Sequence, residues 1–203
     1  MNLIIKEGKV LEEILEEIKK ENKIEEKDFL YKKESKKGGL FKGEIVVVKV
    51  ALLTEVCEYA KEFLEEILKN MGLDVTFETR LRDEQIIVKM YSDKNNILIG
   101  RNGQTLAALQ IILRQAIFNK IGAYPYLVLD VENYKDKKIM HLERLAKNIA
   151  REVAQTGKEV KLEKMTSYER RIVHNILSQN KKVYTISEGE EPNRHIVVKL
   201  KGE

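Results

Sequence analysis

Two short motifs contain the residues whose types and spacing could support chemistry. The first is a glycine-bounded tetrapeptide, Gly100-Arg101-Asn102-Gly103. Glycine has no Cβ, so a ligand can approach the backbone closely at both ends of this loop. The loop amides and the start of the following helix can face a phosphate, and Arg101 adds a positive charge. The motif therefore predicts an anion-binding turn.

The surroundings of this loop exclude two familiar phosphate sites. It is not a Walker A loop, because no Gly-Lys-Ser or Gly-Lys-Thr follows, and it lacks the third glycine and parallel βαβ context of a dinucleotide fingerprint. An apolar run ends at Ile99, and a helix with Leu106, Leu109 and Leu113 on one side follows the loop. The alternative is a plain corner between two helices, which is the commoner meaning of an isolated GxxG.

The second motif is Arg-x-x-x-His, formed by Arg170 and His174. On a helix these residues are neighbours on one face, beside the apolar stripe of Val173 and Leu177. Arginine makes forked bonds to phosphate oxygens, and histidine can donate a further hydrogen bond. We expect both side chains to contact phosphate, with support from Arg171. The alternative is a solvated arginine beside a histidine that packs locally.

The elements that position these motifs form three predicted α+β modules, at residues 1–51, 52–132 and 133–203. Their predicted orders are β-α-β-β, α-β-β-α-α-β and α-β-α-β-β. Residues 80–84 are predicted to be a charged turn within the second module. In the third module, Thr166 and Glu169 have capping-box spacing at the start of the RxxxH helix.

Composition limits the class of protein. The chain has 203 residues, 43% hydrophobic and 34% charged, which favours packed domains over disorder. No apolar run is long enough to span a bilayer, and the N-terminus lacks the features of a secretory signal. The one cysteine, Cys57, cannot form an internal disulfide and is expected to be an ordinary buried thiol. The sequence therefore predicts a soluble cytoplasmic protein.

Metal, cofactor and catalytic sites are not expected. His141 and His195 do not cluster with His174 in any metal-binding spacing. Paired glutamates lie on the polar sides of predicted helices, where solvation explains them better than acid–base chemistry does. We therefore expect no enzyme activity. A nuclease that uses His174 as its acid–base group remains a rival hypothesis.

Positive charge is concentrated in the last third of the chain. Residues 132–203 carry 16 basic and 11 acidic groups, while the whole chain has a net charge of +4. Such a concentration favours a polyanionic partner. One candidate basic face consists of Lys135, Lys137, Lys138, Lys147 and Arg151. An ordinary lysine-rich helix surface is the alternative.

The order of elements and the two motifs resemble known modules. A GxxG loop between the helices of an α-β-β-α-α-β unit resembles the type II KH domain, and RxxxH on the second helix of an α-β-α-β-β unit resembles the RxxxH (R-3-H) domain. Joined after a β-α-β-β unit, they resemble the Jag family of bacterial RNA-binding proteins. The stretches that carry this resemblance are 98–106, 129–134, 168–174, 187–192 and Gly39-Leu40-Phe41.

The resemblance implies a non-enzymatic protein that binds single-stranded RNA or DNA and needs no cofactor. The GxxG loop would clamp about four nucleotides through Gly100, Arg101, Asn102 and Gly103. Further contacts would come from Arg170, Arg171 and His174.

The resemblance also implies a biological role and further partners. The role would be that of an RNA chaperone or post-transcriptional regulator linked to cell-wall synthesis, cell length and division. The implied partners are a small KH-only protein and proteins near the membrane insertase, without a membrane span in this chain. The alternative is an adaptor of the envelope and membrane-insertion machinery in which RNA binding is secondary. Independently of either role, Leu40 and Phe41 at a glycine-rich tip could be an exposed contact or could fold back as the lid of the small N-terminal core.

Overall fold

A computed structural model of the chain describes residues 1–37, 44–82 and 84–202. The chain divides into two compact units, Met1–Glu132 and Asn133–Glu203. Sheets and helices are mixed in both units, so the α+β class predicted from the sequence is confirmed. The division into three modules stays a prediction. Within the described ranges, no helix is both long enough and apolar enough to cross a membrane.

The first unit begins with a three-stranded antiparallel sheet and one helix. These elements are β1 (Ile4–Gly8), α1 (Leu11–Asn22), β2 (Phe29–Lys37) and β3 (Glu44–Leu52). The β-branched strand β3 is central, and its Val48 and Val50 pack with Ile14 and Ile18 of α1. This is the predicted β-α-β-β order. The tip with Gly39, Leu40 and Phe41 lies outside the described residues, so its role stays a prediction.

The rest of the first unit has the predicted α-β-β-α-α-β order. Its elements are α2 (Leu53–Asn70), β4 (Thr76–Arg82), β5 (Gln85–Tyr91), α3 (Asn95–Ile99), α4 (Gln104–Ile121) and β6 (Leu127–Val131). Strand β5 is central, antiparallel to β4 and parallel to β6. The predicted turn at 80–84 was too long, because the ladder continues to the pair Arg82 and Gln85. Arg80, Leu81 and Arg82 are all exposed there, so no buried side chain marks this end of the strand.

Helix α4 follows the Gly100–Gly103 loop directly, and its buried apolar side anchors the helix in the core. Leu106, Leu109, Leu113 and Ile117 are all at most 5% exposed, and the helix contacts α2 and β6. Cys57 on α2 is half-buried, and burial raises the pKa of its thiol to about 11. The thiol is therefore protonated near neutral pH, which fits an unreactive packing residue.

The second unit is an antiparallel sheet packed against two helices. Its elements are α5 (Tyr134–Thr156), β7 (Val160–Lys164), α6 (Ser167–Ser178), β8 (Val183–Glu188) and β9 (His195–Leu200), with β9 central. The core includes Ala146 and Val153 of α5 and Val173 of α6. The predicted capping box at the start of α6 is confirmed. The backbone N–H of Thr166 donates to Glu169 Oε2 at 2.8 Å, and Thr166 Oγ1 accepts from the backbone N–H of Glu169 at 3.3 Å.

Candidate nucleic-acid interface

The GxxG loop has a backbone that only glycine fits at its first position. Gly100 has φ 69° and ψ −177°, and its N–H donates to the carbonyl of Asn96 at 2.9 Å. A Cβ added there would lie 2.1 Å from Thr105 Oγ1. Asn102 and Gly103 are also left-handed, with φ 54° and 83°. The loop is therefore a tight bend whose conformation is set before any ligand arrives.

The same loop is open to solvent. Arg101 and Asn102 are exposed, while Gly100 and Gly103 are half-buried. Among the residues that the structure describes, no carboxylate forms an ion pair with Arg101. Helix α4 begins directly after Gly103, so its positive end and the Arg101 charge lie at the same bend. This arrangement can receive an anion without first breaking an internal contact of Arg101.

An apolar side chain that the sequence analysis missed lies next to the loop. Ile97 of α3 is 45% exposed, although Leu98 beside it is fully buried. The exposure of Ile97 could have been predicted from the shortness of α3. A five-residue helix cannot bury Ile97, Leu98 and Ile99 on one side, because consecutive residues point in different directions. Ile97 offers apolar surface close to the phosphate-accessible bend.

Arg170 is directed into the protein. Its side chain is 8% exposed. Nη1 donates to the carbonyl of Met165 at 2.6 Å, and Nη2 donates to Glu191 Oε1 at 2.8 Å. The guanidinium therefore joins the start of α6 to the turn between β8 and β9. This geometry gives Arg170 a positioning role, and its direct contact with phosphate stays an untested prediction.

His174 and Arg171 are both exposed on α6. Nδ1 of His174 lies 2.7 Å from Thr185 Oγ1 on β8, a contact that orients the ring. Nε2, on the opposite side of the imidazole, is then available to a ligand. The two ends of the RxxxH motif therefore differ in burial: the Arg170 side chain is buried, and the His174 side chain is at the surface.

The exposed face of α6 also includes an aromatic residue that the sequence analysis missed. Tyr168 is 63% exposed and precedes Arg171 by one helical turn. An aromatic ring beside a guanidinium can stack on a nucleobase. Tyr168, Arg171 and His174 are hereafter called the α6 face. The three-residue spacing of Tyr168 and Arg171 on a helix could have predicted that these two side chains are neighbours.

Glu169, which precedes Arg170 in the chain, forms an ion pair within the protein. Burial alone would raise the pKa of Glu169, but hydrogen bonds from Thr166 and Lys138 outweigh burial and lower the pKa. The Lys138 Nζ lies 3.2 Å from Glu169 Oε1. The candidate basic face is therefore partly paired, since Lys147 also forms an ion pair with Glu143.

The other histidines occupy separate environments. His195 Nδ1 lies 3.2 Å from the carbonyl of Asn193, at the start of β9. His141 is exposed on α5. Within 1–37, 44–82 and 84–202, no three His, Cys, Asp or Glu side chains are grouped so that they could hold a metal ion.

The topology and the two motifs define a protein that joins a KH domain to an RxxxH domain. Comparison with protein families agrees with this architecture. Residues 58–128 match the model described as KhpA/KhpB, KH domain, and residues 140–200 match the model of the R-3-H domain.

The similar curated proteins have one name in common. The chain is 42% identical over 146 residues to RNA-binding protein KhpB of Clostridium symbiosum, covering 71% of this chain and 66% of that protein. It is 38% identical over 147 residues to RNA-binding protein KhpB of Lactiplantibacillus plantarum, covering 72% of this chain and 44% of that protein. It is 32% identical over 165 residues to RNA-binding protein KhpB of Bacillus subtilis, covering 80% and 79%. The chain therefore belongs to the KhpB family, also called Jag.

Proposed function

We propose that this protein binds single-stranded RNA at the Gly100–Gly103 loop and at the α6 face. The observation that carries the proposal is the exposed loop, whose bend is fixed by Gly100 and whose Arg101 is unpaired within the described residues. The name of the similar KhpB proteins supports RNA as the polyanion.

At the Gly100–Gly103 loop, the RNA backbone binds by close approach to the protein backbone. The glycines leave room for the sugar–phosphate chain, and Arg101 with the start of α4 supplies positive charge. KH loops of this kind hold about four nucleotides. Bases of the bound segment would lie on apolar surface that begins at Ile97.

At the α6 face, the roles differ by residue. Arg171 and His174 contact phosphates, and Tyr168 stacks on a base. Arg170 supports this face by holding the turn of Glu191 against α6. Two weak sites on one chain raise the overall affinity, because the second contact forms at high effective concentration.

The protein acts in this proposal by binding, without catalysis or a cofactor, in the cytoplasm. Its place as an RNA chaperone or post-transcriptional regulator of cell-wall synthesis, cell length and division is supported by the resemblance to the Jag family. The rival nuclease hypothesis predicts cleavage of labelled RNA that disappears in His174→Ala. We expect the RNA to remain intact with both proteins.

A double substitution tests the loop. Arg101→Asp with Asn102→Asp should repel phosphate without changing a buried residue, and we expect at least a tenfold loss of affinity, about 1.4 kcal/mol. Fluorescence anisotropy with a labelled single-stranded RNA measures the change. Lys69→Asp with Asn70→Asp is the matched control, since these exposed residues of α2 undergo the same change of charge. Equal affinity of the loop variant and the wild type, with both folded, would remove the loop from the site.

A protein partner is the second proposal, and a different surface supports it. The outward side of α4 has Ala107, Ala108, Ile111 and Ile112, with the two isoleucines 67% and 49% exposed. Large contiguous apolar patches on soluble domains commonly mark interaction sites. We propose that a small KH-only protein packs against this uncharged stripe.

The far end of α4 adds residue types that are common at protein interfaces. Tyr124 is 51% exposed, stacks on Phe118 with centroids 4.4 Å apart, and lies 5.6 Å from the Arg114 guanidinium. Tyrosine and arginine are enriched among the residues that dominate binding energy at interfaces. These contacts extend the apolar stripe toward the loop that precedes β6.

Charge placed on the stripe tests the partner. Ile111→Glu with Ile112→Glu should abolish complex formation with the KH-only protein in size-exclusion chromatography with light scattering. Ile5→Glu, at an isoleucine of β1 that is 57% exposed, should have no effect. The adaptor alternative predicts that the same stripe variant also loses envelope and membrane-insertion proteins from a nuclease-treated pull-down.

A further inference from the structure

A cleft in the second unit lies between the C-terminal halves of α5 and α6. Its volume is about 510 Å³, within the range of small-ligand sites. Ala150, Ala154, Ile176 and Leu177 form its apolar lining. None of the three residues of the α6 face lines this cleft.

Small side chains on α5 explain why the cleft is open. Ala146, Ala150 and Ala154 follow one another at four-residue spacing on the same side of the helix. Ala146 is fully buried in the core, where it packs with residues of α6 and the sheet. Further along α5, Ala154 is half-buried, so the space that a larger side chain would fill remains accessible.

The rim of the cleft is positively charged and polar. Lys147, Arg151 and Lys182 line it, together with Gln155 and Gln179. No carboxylate is among the lining residues that the structure describes. Lys147 is paired with Glu143, whereas the side chains of Arg151 and Lys182 have no ion pair within the described part of the chain. The rim therefore favours an anionic occupant.

We propose that this cleft holds one nucleotide of the single-stranded RNA, an inference that rests on the proposed function and adds a third contact to it. The base lies on the alanines and Ile176, while Arg151 and Lys182 hold a phosphate. The amides of Gln155 and Gln179 can donate to and accept from a base edge, as in recognition of unstacked RNA bases.

The combination of features favours a nucleotide over an acidic peptide. Carboxylates of a peptide would use the cations alone, whereas a nucleotide also uses the apolar lining and the amides. The cleft volume is suited to one planar base with its sugar. An acidic protein segment is the competing occupant, and the experiment separates the two.

The decisive variant fills the cleft and leaves its charge intact. Ala154→Phe places a ring in the space while Lys147, Arg151 and Lys182 remain. We expect an RNA affinity roughly tenfold lower, in keeping with the loss of one stacked or inserted base. Anisotropy of a labelled single-stranded RNA measures it, and a circular dichroism melt checks folding. Wild-type affinity in a folded Ala154→Phe variant would overturn the proposal.

Charge reversal tests the rim independently. Arg151→Glu with Lys182→Glu should also weaken RNA binding at least tenfold and reduce its dependence on salt, because fewer counterions are released. The matched control is Lys158→Glu with Lys161→Glu, at exposed residues of the same unit outside the cleft. An equal loss in the control would show a general charge effect and would overturn the cleft as a site.

Photocrosslinking keeps the test valid if Ala154→Phe does not fold. Wild-type protein crosslinked to RNA containing 4-thiouridine should yield nucleotide-bearing peptides from residues 147–155 or 176–182. Crosslinks confined to the Gly100–Gly103 loop and the α6 face would overturn the cleft alone. A polyglutamate peptide that binds wild type but not Arg151→Glu with Lys182→Glu, while RNA affinity is the same in both proteins, would assign the cleft to an acidic protein segment and overturn the nucleotide. A wild-type chain that binds no RNA would overturn this inference together with the proposed function.

Discussion

The two motifs use their arginines in opposite ways. Arg101 is at the surface of a bend whose shape is set by glycine backbone, and no described carboxylate pairs with it. Arg170 is 8% exposed and joins the carbonyl of Met165 to Glu191. The same residue type thus offers charge to a ligand in one motif and holds the protein together in the other. Motif spacing places an arginine on a face, but the surrounding acceptors decide its role.

The largest expected effect is on stability, from Arg170→Ala. The substitution leaves the Met165 carbonyl without its hydrogen bond and Glu191 without its cation. We expect a loss of about 2 to 3 kcal/mol, with a lower melting temperature in circular dichroism. Arg101→Ala is the matched control and should change stability by less than about 0.5 kcal/mol. A stable Arg170→Ala variant with weakened RNA binding would make Arg170 a direct ligand.

A substitution at the first glycine of the loop should have the next largest effect. Gly100→Ala puts a Cβ 2.1 Å from Thr105 Oγ1 in a backbone conformation with φ 69°. We expect about 2 kcal/mol of destabilisation in urea unfolding, from strain and from displacement of Thr105. Gly72 has φ 71° and no atom within 4 Å of an added Cβ, so Gly72→Ala should lose clearly less free energy of unfolding than Gly100→Ala. Equal losses would show that the contact with Thr105 does not restrain the loop.

A smaller effect is expected at the exposed end of the RxxxH motif. Thr185→Val removes the hydroxyl that lies 2.7 Å from His174 Nδ1. We expect RNA affinity to fall about threefold, less than in His174→Ala, because the imidazole remains but is no longer oriented. Anisotropy measures both variants. If Thr185→Val weakens binding while His174→Ala does not, the ring is not the ligand.

The smallest effect concerns the pH dependence of the second unit. Hydrogen bonds from Thr166 and Lys138 lower the pKa of Glu169 against the opposing effect of burial. A lowered pKa in the folded state contributes stability above the unfolded value near 4.5, and this contribution is lost as the pH falls through the folded value. Between pH 6 and pH 3, the melting temperature of Glu169→Gln should therefore fall by less than that of wild type. Parallel melting curves would show that another group controls the acid response.

Sequence reasoning was most successful where local chemistry decides structure. The capping box of Thr166 and Glu169 needed only residue types at the right spacing, and the apolar stripe of α4 followed from helical periodicity. The order of strands and helices followed from the same patterns. The end of the β4–β5 hairpin was misjudged, because Arg80, Leu81 and Arg82 are all exposed and a charged segment is also typical of a turn.

Features that depend on distant residues could not be predicted. The burial of Arg170 requires Glu191, which is 21 residues away and reaches the helix only through the fold of β8 and β9. The cleft beside Ala154 likewise depends on how α5 and α6 pack. A helical pattern shows which residues lie on one side, but it does not show which neighbour leaves a space.

The direct junction of Gly103 with the first residue of α4 restricts how this protein can change in length. One residue inserted early in α4 would turn the bend by about 100° relative to the leucines that anchor the helix. Beside the β4–β5 connection, the exposed Arg82 and Glu84 anchor no buried side chain that an insertion would rotate. Insertions and deletions should therefore accumulate in that connection in related chains, while the number of residues between the bend and Leu106 stays constant.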